Sequence, residues 1–377
     1  MTKKIKTSSP KRLYWIDNAK ALGIIAVFYG HIIEKVFLTS GSVAYLQFKL
    51  IYSFHMPLFF ILAGYIAKQP GLDFHSFIKD KFLSRILPFV FFNILIIPIY
   101  LATDVMMQKQ IEPQQLIFAA MQLIRGFPSF NFVTWFLVCL FTVEVLHFIV
   151  SSYLNGNKKK YVFFIILFYI LGWVISREKS YVVNMLQFGE FWYVYEAFVA
   201  YSFYLVGKLI FVAKLDSKMT NKFVSILVLL ISLILLVGTF DLNSGPFSNT
   251  PQQVVLVAAG IYGNPFFFPL TAIAGSIFII IFSRMIGSIS LFDFLGRNTL
   301  ILMGLNGFYY HFINTCFINY SIKFISGSEF SIFLLCAVLT CISLILCVPF
   351  ILLLERYLPQ LTGNPKVAGP ILPMLYK

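Results

Sequence analysis

The sequence predicts an all-α membrane protein, a polytopic bundle of about ten transmembrane helices with both termini cytoplasmic. Composition, the lengths of the apolar runs and the sidedness of the charges each lead there. Of 377 residues, 59% are hydrophobic and only 12% are charged, against roughly 25% charged in a soluble domain. So few charges cannot cover the surface of a water-soluble globule, and a mean hydropathy of +0.85 means that most segments prefer lipid. The net charge of +14 would suggest nucleic-acid binding in a soluble chain. In a membrane protein it reflects the Lys and Arg that collect in cytoplasmic loops, so membrane lipids are expected as partners and nucleic acid is not.

A helix needs about 20 apolar residues to cross ~30 Å of hydrocarbon, and polar punctuation cuts the chain into ten such runs. The first, Ile16–Leu38, follows the basic cluster Lys3, Lys4, Lys6, Lys11 and Arg12. It is long, contains Asp17 and Lys20 and lacks a small-residue cleavage site, so it reads as a retained span rather than a signal peptide. The second, Ala44–Ala67, lies beyond a connection of about five residues, which makes the two antiparallel neighbours. Ile86–Thr103 begins after Lys79, Lys81 and Arg85; Asn131–Tyr153 ends at the polar stretch Asn155–Lys160; Tyr161–Ser176 follows it. Then come Phe191–Ala213, Phe223–Phe240, Asn264–Ser283, Asn298–Asn319 and Phe330–Leu354, separated by short polar connections. The domain plan is a basic cytoplasmic segment 1–15, a membrane domain 16–358 and a cytoplasmic tail 359–377.

Charge tests this division independently. With the N-terminus inside, twenty of the 29 Lys and Arg fall in inner loops and tails and seven in outer ones, Lys20 and Lys208 lying within spans. That is the bias expected of cytoplasmic loops. From Leu242 to Ser283 no residue is charged, and Gln252–Tyr262 reads as a re-entrant or amphipathic segment on the outer side. The five cysteines (Cys139, Cys316, Cys336, Cys341, Cys347) sit in apolar runs without metal-ligand spacing and read as small core residues, with neither disulfide nor metal expected.

Ionisable residues inside spans are costly and mark function by default once snorkelling at helix ends is discounted. The first span carries Lys20 and His31 eleven residues apart, about three turns, so they share a face and lie ~16 Å apart along the axis. Asp17 precedes Lys20 by a turn and Glu34 follows His31 by a turn, which makes one polar stripe. The plain alternative is that Asp17 and Lys20 snorkel while His31 bonds a neighbouring helix; several costly groups on one face are better explained by a cavity. His55 in the second span falls at a depth ~6 Å from that of His31, so both imidazoles can line one hollow, with Pro57 kinking the helix beside them. Arg85 reads either as a loop charge or as an anion ligand, and Glu144 and Glu196 as buried partners of His or Lys or as packing groups. His147 shares a face with Glu144. His75 reads as a loop residue, His311 as a core or interfacial one, and Trp135, Trp173 and Trp192 as interfacial belts.

A histidine with a neighbouring carboxylate suits removal of a proton from a hydroxyl, and a cationic mouth three turns away suits a phosphate-bearing donor. Together they suggest group transfer from a cytoplasmic donor to a hydroxyl reached through the membrane. The competing readings are a glycan or lipid transporter or flippase without transfer chemistry, which predicts paired broken helices or inverted repeats, and a glycan polymerase, which needs large outer loops. Neither feature is evident.

Asp17-x2-Lys20-x10-His31, Phe54-His55-Met56-Pro57-Leu58-Phe59-Phe60 with Gly64-Tyr65, Arg85-Ile86-Leu87-Pro88, Trp135-Phe136-Leu137, Phe203-Tyr204-Leu205-Val206-Gly207 and Gly296-Arg297-Asn298-Thr299-Leu300 resemble, in order, the motifs of the acyltransferase family 3 membrane O-acyltransferases. The fucose O-acetylase-like branch is the nearest. The resemblance implies a ten-helix enzyme of the cell membrane that takes acetyl from acetyl-CoA, without a metal, and places it on a hydroxyl of a cell-surface polysaccharide or its lipid-linked precursor. It implies that His31 is catalytic and that Lys20 helps to position the donor. On the residues themselves, His31 reads as general base or acyl carrier with His55 beside it and Glu34 or Asp17 tuning the charge, and Lys20, Arg85 and Lys81 as the basic mouth that holds the donor. Two positions depart from the family pattern: Phe82 stands where a second basic residue is common, and Asn306 where many members have histidine.

Overall fold

The computed structural model describes residues 13–40, 44–71, 73–106, 113–178, 191–215, 221–245, 253–321, 323 and 328–376. The basic segment up to Arg12 and the first-turn connection at 41–43 lie outside them. Among the described residues every extended element is helical, and strand pairing is limited to one isolated bridge between Leu256 and Ile261.

α1 (Tyr14–Ser40) and α2 (Tyr45–Ile66) form the expected antiparallel pair. α3 (Phe74–Lys81) runs through a π turn, Phe82–Ile86, into α4 (Leu87–Met106). After α5 (Pro113–Ile124) come α6 (Trp135–Leu154), α7 (Lys158–Arg177), α8 (Val194–Val212), α9 (Lys222–Thr239) and α10 (Phe267–Met285). α11 (Ser290–Arg297) is short, and α12 (Thr299–Phe308) continues through a second π turn, Tyr309–Ile313, into α13 (Asn314–Ser321). α14 (Glu329–Tyr357) is followed by a folded tail. Nine helices among the described residues are long and apolar enough to cross a membrane. The tenth expected crossing corresponds to the run from α12 to α13, which is helical throughout but interrupted by its π turn.

α1 is the hub, packing against α2, α10, α11, α12, α13 and α14. In lipid, helices associate through close van der Waals fit, so small residues mark the tightest crossings. Gly64 of α2 and Gly207 of α8 show this reciprocally: a Cβ on Gly64 would strike the backbone of Tyr204, and one on Gly207 the backbone of Ile61. That contact brings the Gly-Tyr end of one motif against the glycine end of another. Gly296 likewise lets α11 lie on the Asp17 backbone of α1. α7, α9 and α14 turn large apolar side chains outward, among them Ile166, Ile234 and Ile345, as lipid-facing helices do.

One local expectation, that of buried cysteines, is corrected, and two further features appear outside the ten runs. The 104–130 connection contains helix α5, whose Ile117, Phe118, Met121 and Ile124 are exposed. Cys316 and Cys341 face outward rather than into the core, because a lipid-facing position accepts a small apolar side chain as readily as the interior does. The tail after Tyr357 is folded back: Lys366 pairs with Asp80 at 3.2 Å, and the Tyr376 ring lies near the ammonium groups of both Lys79 and Lys366.

Candidate active site

A cavity of about 320 Å³ runs through the bundle beside α1, bordered from Lys20 to Glu34. Fourteen residues of helix give it a length of ~21 Å along that wall. Exposed Arg297 and Ile66 border one end and exposed Ala259 the other. α2 contributes Tyr52, His55, Met56, Phe59 and Leu62, and α6 contributes Trp135, Phe136 and Leu137. Trp135 is therefore a wall residue, 6% exposed, and not part of an interfacial belt. The segment after α9 supplies Val255–Ala259, an irregular stretch that ends in a single 3-10 turn, Val257–Ala259, and borders the cavity; its part at 246–252 lies outside the described residues. Lined by protein on one side and a cavity on the other, irregular backbone is tolerated at such a place.

At the far end of the cavity, His31, Glu34, Tyr52, His55 and Tyr310 meet. The Tyr52 hydroxyl donates to Glu34 Oε2 at 2.7 Å and lies 3.1 Å from His31 Nδ1. With its hydrogen used on Glu34, the Tyr52 oxygen accepts from His31 Nδ1–H, and Glu34 Oε2 itself lies 3.4 Å from Nδ1. The Tyr310 hydroxyl donates to Glu34 Oε1 at 3.3 Å, and its ring meets the His31 ring edge-on, centroids 4.7 Å apart. His55 Nδ1 donates to the Ile51 carbonyl at 2.8 Å. Both imidazoles thus carry their hydrogen on Nδ1 and their lone pair on Nε2, the form a base needs.

The other end is cationic, with Lys20, Arg85 and Arg297 on its border. Arg85 stands on the first π turn; its guanidinium lies 3.2 Å from Glu144 Oε1 and 3.2 Å from Oε2. Lys81 donates to the same carboxylate at 2.8 Å and does not border the cavity. Arg297 pairs with Asp293 one turn earlier. Glu144 is thus the buried partner of a lysine and an arginine, one of the roles the sequence allowed it. His147 does not pair with it: its Nδ1 lies 3.2 Å from the Tyr201 hydroxyl. Asp17 is buried in the seam between α1 and α11, away from the cavity, because the short helix that the sequence does not announce covers that face.

The predicted stripe is thus divided. Lys20, His31, Glu34, His55 and Arg85 share one cavity; Asp17 and Lys81 stand behind its walls. Sequence reasoning missed Tyr52, Tyr310 and Arg297. Tyr52 precedes His55 by one turn and was open to the same face argument; Tyr310 depends on the π turn, which leaves no hydropathic signal. That turn also brings His311 Nε2 to accept from the Phe132 amide at 3.3 Å, a packing role. Among the described residues no group of three or more His, Cys, Asp or Glu is placed to hold a metal.

A family profile described as "Acyltransferase domain" matches residues 13–352, nearly the whole chain. The chain belongs to this family. Membership supports a membrane acyltransferase over a transporter without transfer chemistry, in keeping with the nine helices among the described residues that are long and apolar enough to cross a membrane. One curated relative, the nodulation protein NolL of Sinorhizobium fredii, is 34% identical over 84 residues. That match covers 21% of this chain and 23% of the relative's length. No solved structure matches.

Proposed function

We propose that this acyltransferase moves an acetyl group from acetyl-CoA, bound from the cytoplasm, to a hydroxyl of a cell-surface polysaccharide or its lipid-linked precursor. The observation that carries the reading is one cavity with cations at one end and two imidazoles at the other, bordered by residues of five of the motifs that mark the family. The basic end suits the donor's phosphates, with Lys20, Arg85 and Arg297 as their contacts and Lys81 acting behind Arg85 through Glu144. The apolar wall of Ile24, Val27, Met56 and Phe59 suits the slender arm that carries the thioester toward His31.

In this reading His31 Nε2 takes the proton of the acceptor hydroxyl as its oxygen attacks the thioester carbonyl. The carbon–oxygen bond forms, the carbon–sulfur bond breaks, and the departing thiolate recovers the proton from the imidazolium. Glu34, held by Tyr52 and Tyr310, stabilises that imidazolium through Nδ1. His55 presents a second basic nitrogen to the acceptor. Both termini then lie in the cytoplasm of a cell-membrane protein, with Val255–Ala259 closing the outer end. Membranes containing the chain, mixed with labelled acetyl-CoA, are expected to transfer label to glycan, and His31→Ala membranes with equal protein are not. Equal labelling by both would remove His31 from the chemistry.

A further inference from the structure

A second cavity, of about 590 Å³, opens on the lateral face of the bundle between α7, α8 and the start of α10. Its walls include Ile166, Ile170, Val206, Phe203 and Leu270, and the polar atoms of the three polar side chains on them, Tyr169, Trp173 and Ser202, are bonded to backbone carbonyls. Tyr169 donates to the Pro265 carbonyl at 2.9 Å, Trp173 Nε1 to the Gly263 carbonyl at 3.1 Å, and Ser202 to the Val199 carbonyl at 2.7 Å. Nothing in the crevice offers water a partner, so hydrocarbon fills it at the least cost. Along α7 it runs from Ile165 to Val174, ~14 Å of helix, close to half of the ~30 Å hydrocarbon core. One turn beyond Trp173, at the end of the helix, the exposed Arg177 guanidinium lies 5.2 Å from the Trp173 ring centroid. Depth and charge together fit a lipid of one leaflet, its chain in the crevice and an anionic headgroup at Arg177.

We propose that this crevice is a binding site for an anionic phospholipid, and that the bound chain braces the segment on which the catalytic cavity depends. The brace follows from connectivity. The carbonyls of Pro265 and Gly263 are held by Tyr169 and Trp173, two of the aromatic side chains that border the crevice, while Val255–Ala259 of the same segment border the first cavity. A lipid tail against Tyr169 and Trp173 holds those donors in place. The site stands apart from the acyl-transfer chemistry and is tested without it.

The full chain is reconstituted in nanodiscs of phosphatidylcholine that contain a phosphatidylglycerol with a photoreactive acyl chain, and the labelled peptides are mapped. Label is expected to concentrate on 165–174 and 266–273 above the level on the lipid-facing sides of α9 and α14. Ile170→Trp and Leu270→Trp, which fill the crevice from lipid-facing positions, remove that excess. Arg177→Gln, at an exposed position that does not threaten folding, lowers the preference for phosphatidylglycerol over phosphatidylcholine about fivefold. Amide exchange of 253–263 is expected to quicken when wild-type protein is delipidated in detergent, and in Ile170→Trp to become independent of lipid. Uniform labelling of all lipid-facing helices, or labelling unchanged by both tryptophans, overturns the site. An unchanged headgroup preference in Arg177→Gln overturns the anionic assignment, and lipid-independent exchange in the wild type overturns the brace.

Discussion

At the His31 end of the cavity, polar side chains from three helices bond one another: Tyr52 of α2 and Tyr310 of the α12 π turn both donate to Glu34 of α1, which lies beside His31. At the Arg85 end the cations are held from behind, by Glu144 of α6 and by Asp293 of α11, neither of which borders the cavity. The first arrangement fixes a ring and its hydrogen in one geometry, which is what proton transfer requires. The second keeps positive charge at an opening while offsetting much of the cost of holding it there, and so remains available to an anion. One end is built for direction and the other for charge, and substitutions separate the two.

The largest effect is expected at the directional end. His31→Ala removes the proposed base and is expected to lower kcat by ~10²–10⁴ with the donor KM nearly unchanged. An equal change in KM would place His31 in binding instead. Tyr52→Phe keeps the ring and loses the hydroxyl that bridges Glu34 and His31. A fall in kcat of about 10- to 100-fold is expected, from the loss of a hydrogen bond to a charged group. Glu34→Gln should fall in the same range, and the double variant should cost little more than either, because the two act as a unit. Additive losses would show that Tyr52 and Glu34 work separately. At the charge end, Arg85→Gln is expected to raise the donor KM about tenfold while leaving kcat within a few-fold; Lys81 still neutralises Glu144, so the fold survives. If kcat falls and KM does not, the two ends are not divided as argued.

How much of this division could be read beforehand depended on period. Lys20, His31 and Glu34 lie on one helix, and a helix repeats every 3.6 residues whatever surrounds it, so their common face was legible. His55 required only a short connection and antiparallel packing. Asp17 obeyed the same arithmetic, yet α11 covers its side of α1, and an eight-residue amphipathic helix is too short for a hydropathic run to reveal. Tyr310 and Arg85 each stand on a π turn, where one extra residue shifts the register of everything that follows. Face arguments fail there, and the cavity takes a residue from each. The Val255–Ala259 wall lies in the segment read as re-entrant or amphipathic on the outer side, but which of its residues border the cavity was not legible, because an irregular backbone has no period to read.

The smallest effect is expected outside the membrane, on the helix that leads to Arg85. Asp73 caps α3, its carboxylate accepting from the amides of His75 and Ser76 at 3.2 and 3.1 Å. Hydrogen bonding from Ser76, and then from His75, holds its carboxyl below the usual aspartate range. A depressed folded pKa means that the cap is complete above the unfolded value and is lost as pH falls through the folded one. Asp73→Ala is therefore expected to speed amide exchange at His75 and Ser76 relative to wild type at neutral pH, and the difference should vanish in acid. Because α3 continues through the π turn, a frayed first turn reaches Arg85 only weakly: the donor KM should shift by less than twofold and kcat not at all. A kcat change in Asp73→Ala would mean that the charge end and the directional end are coupled through α3 and α4, and the separation drawn from their hydrogen bonds would have to be given up.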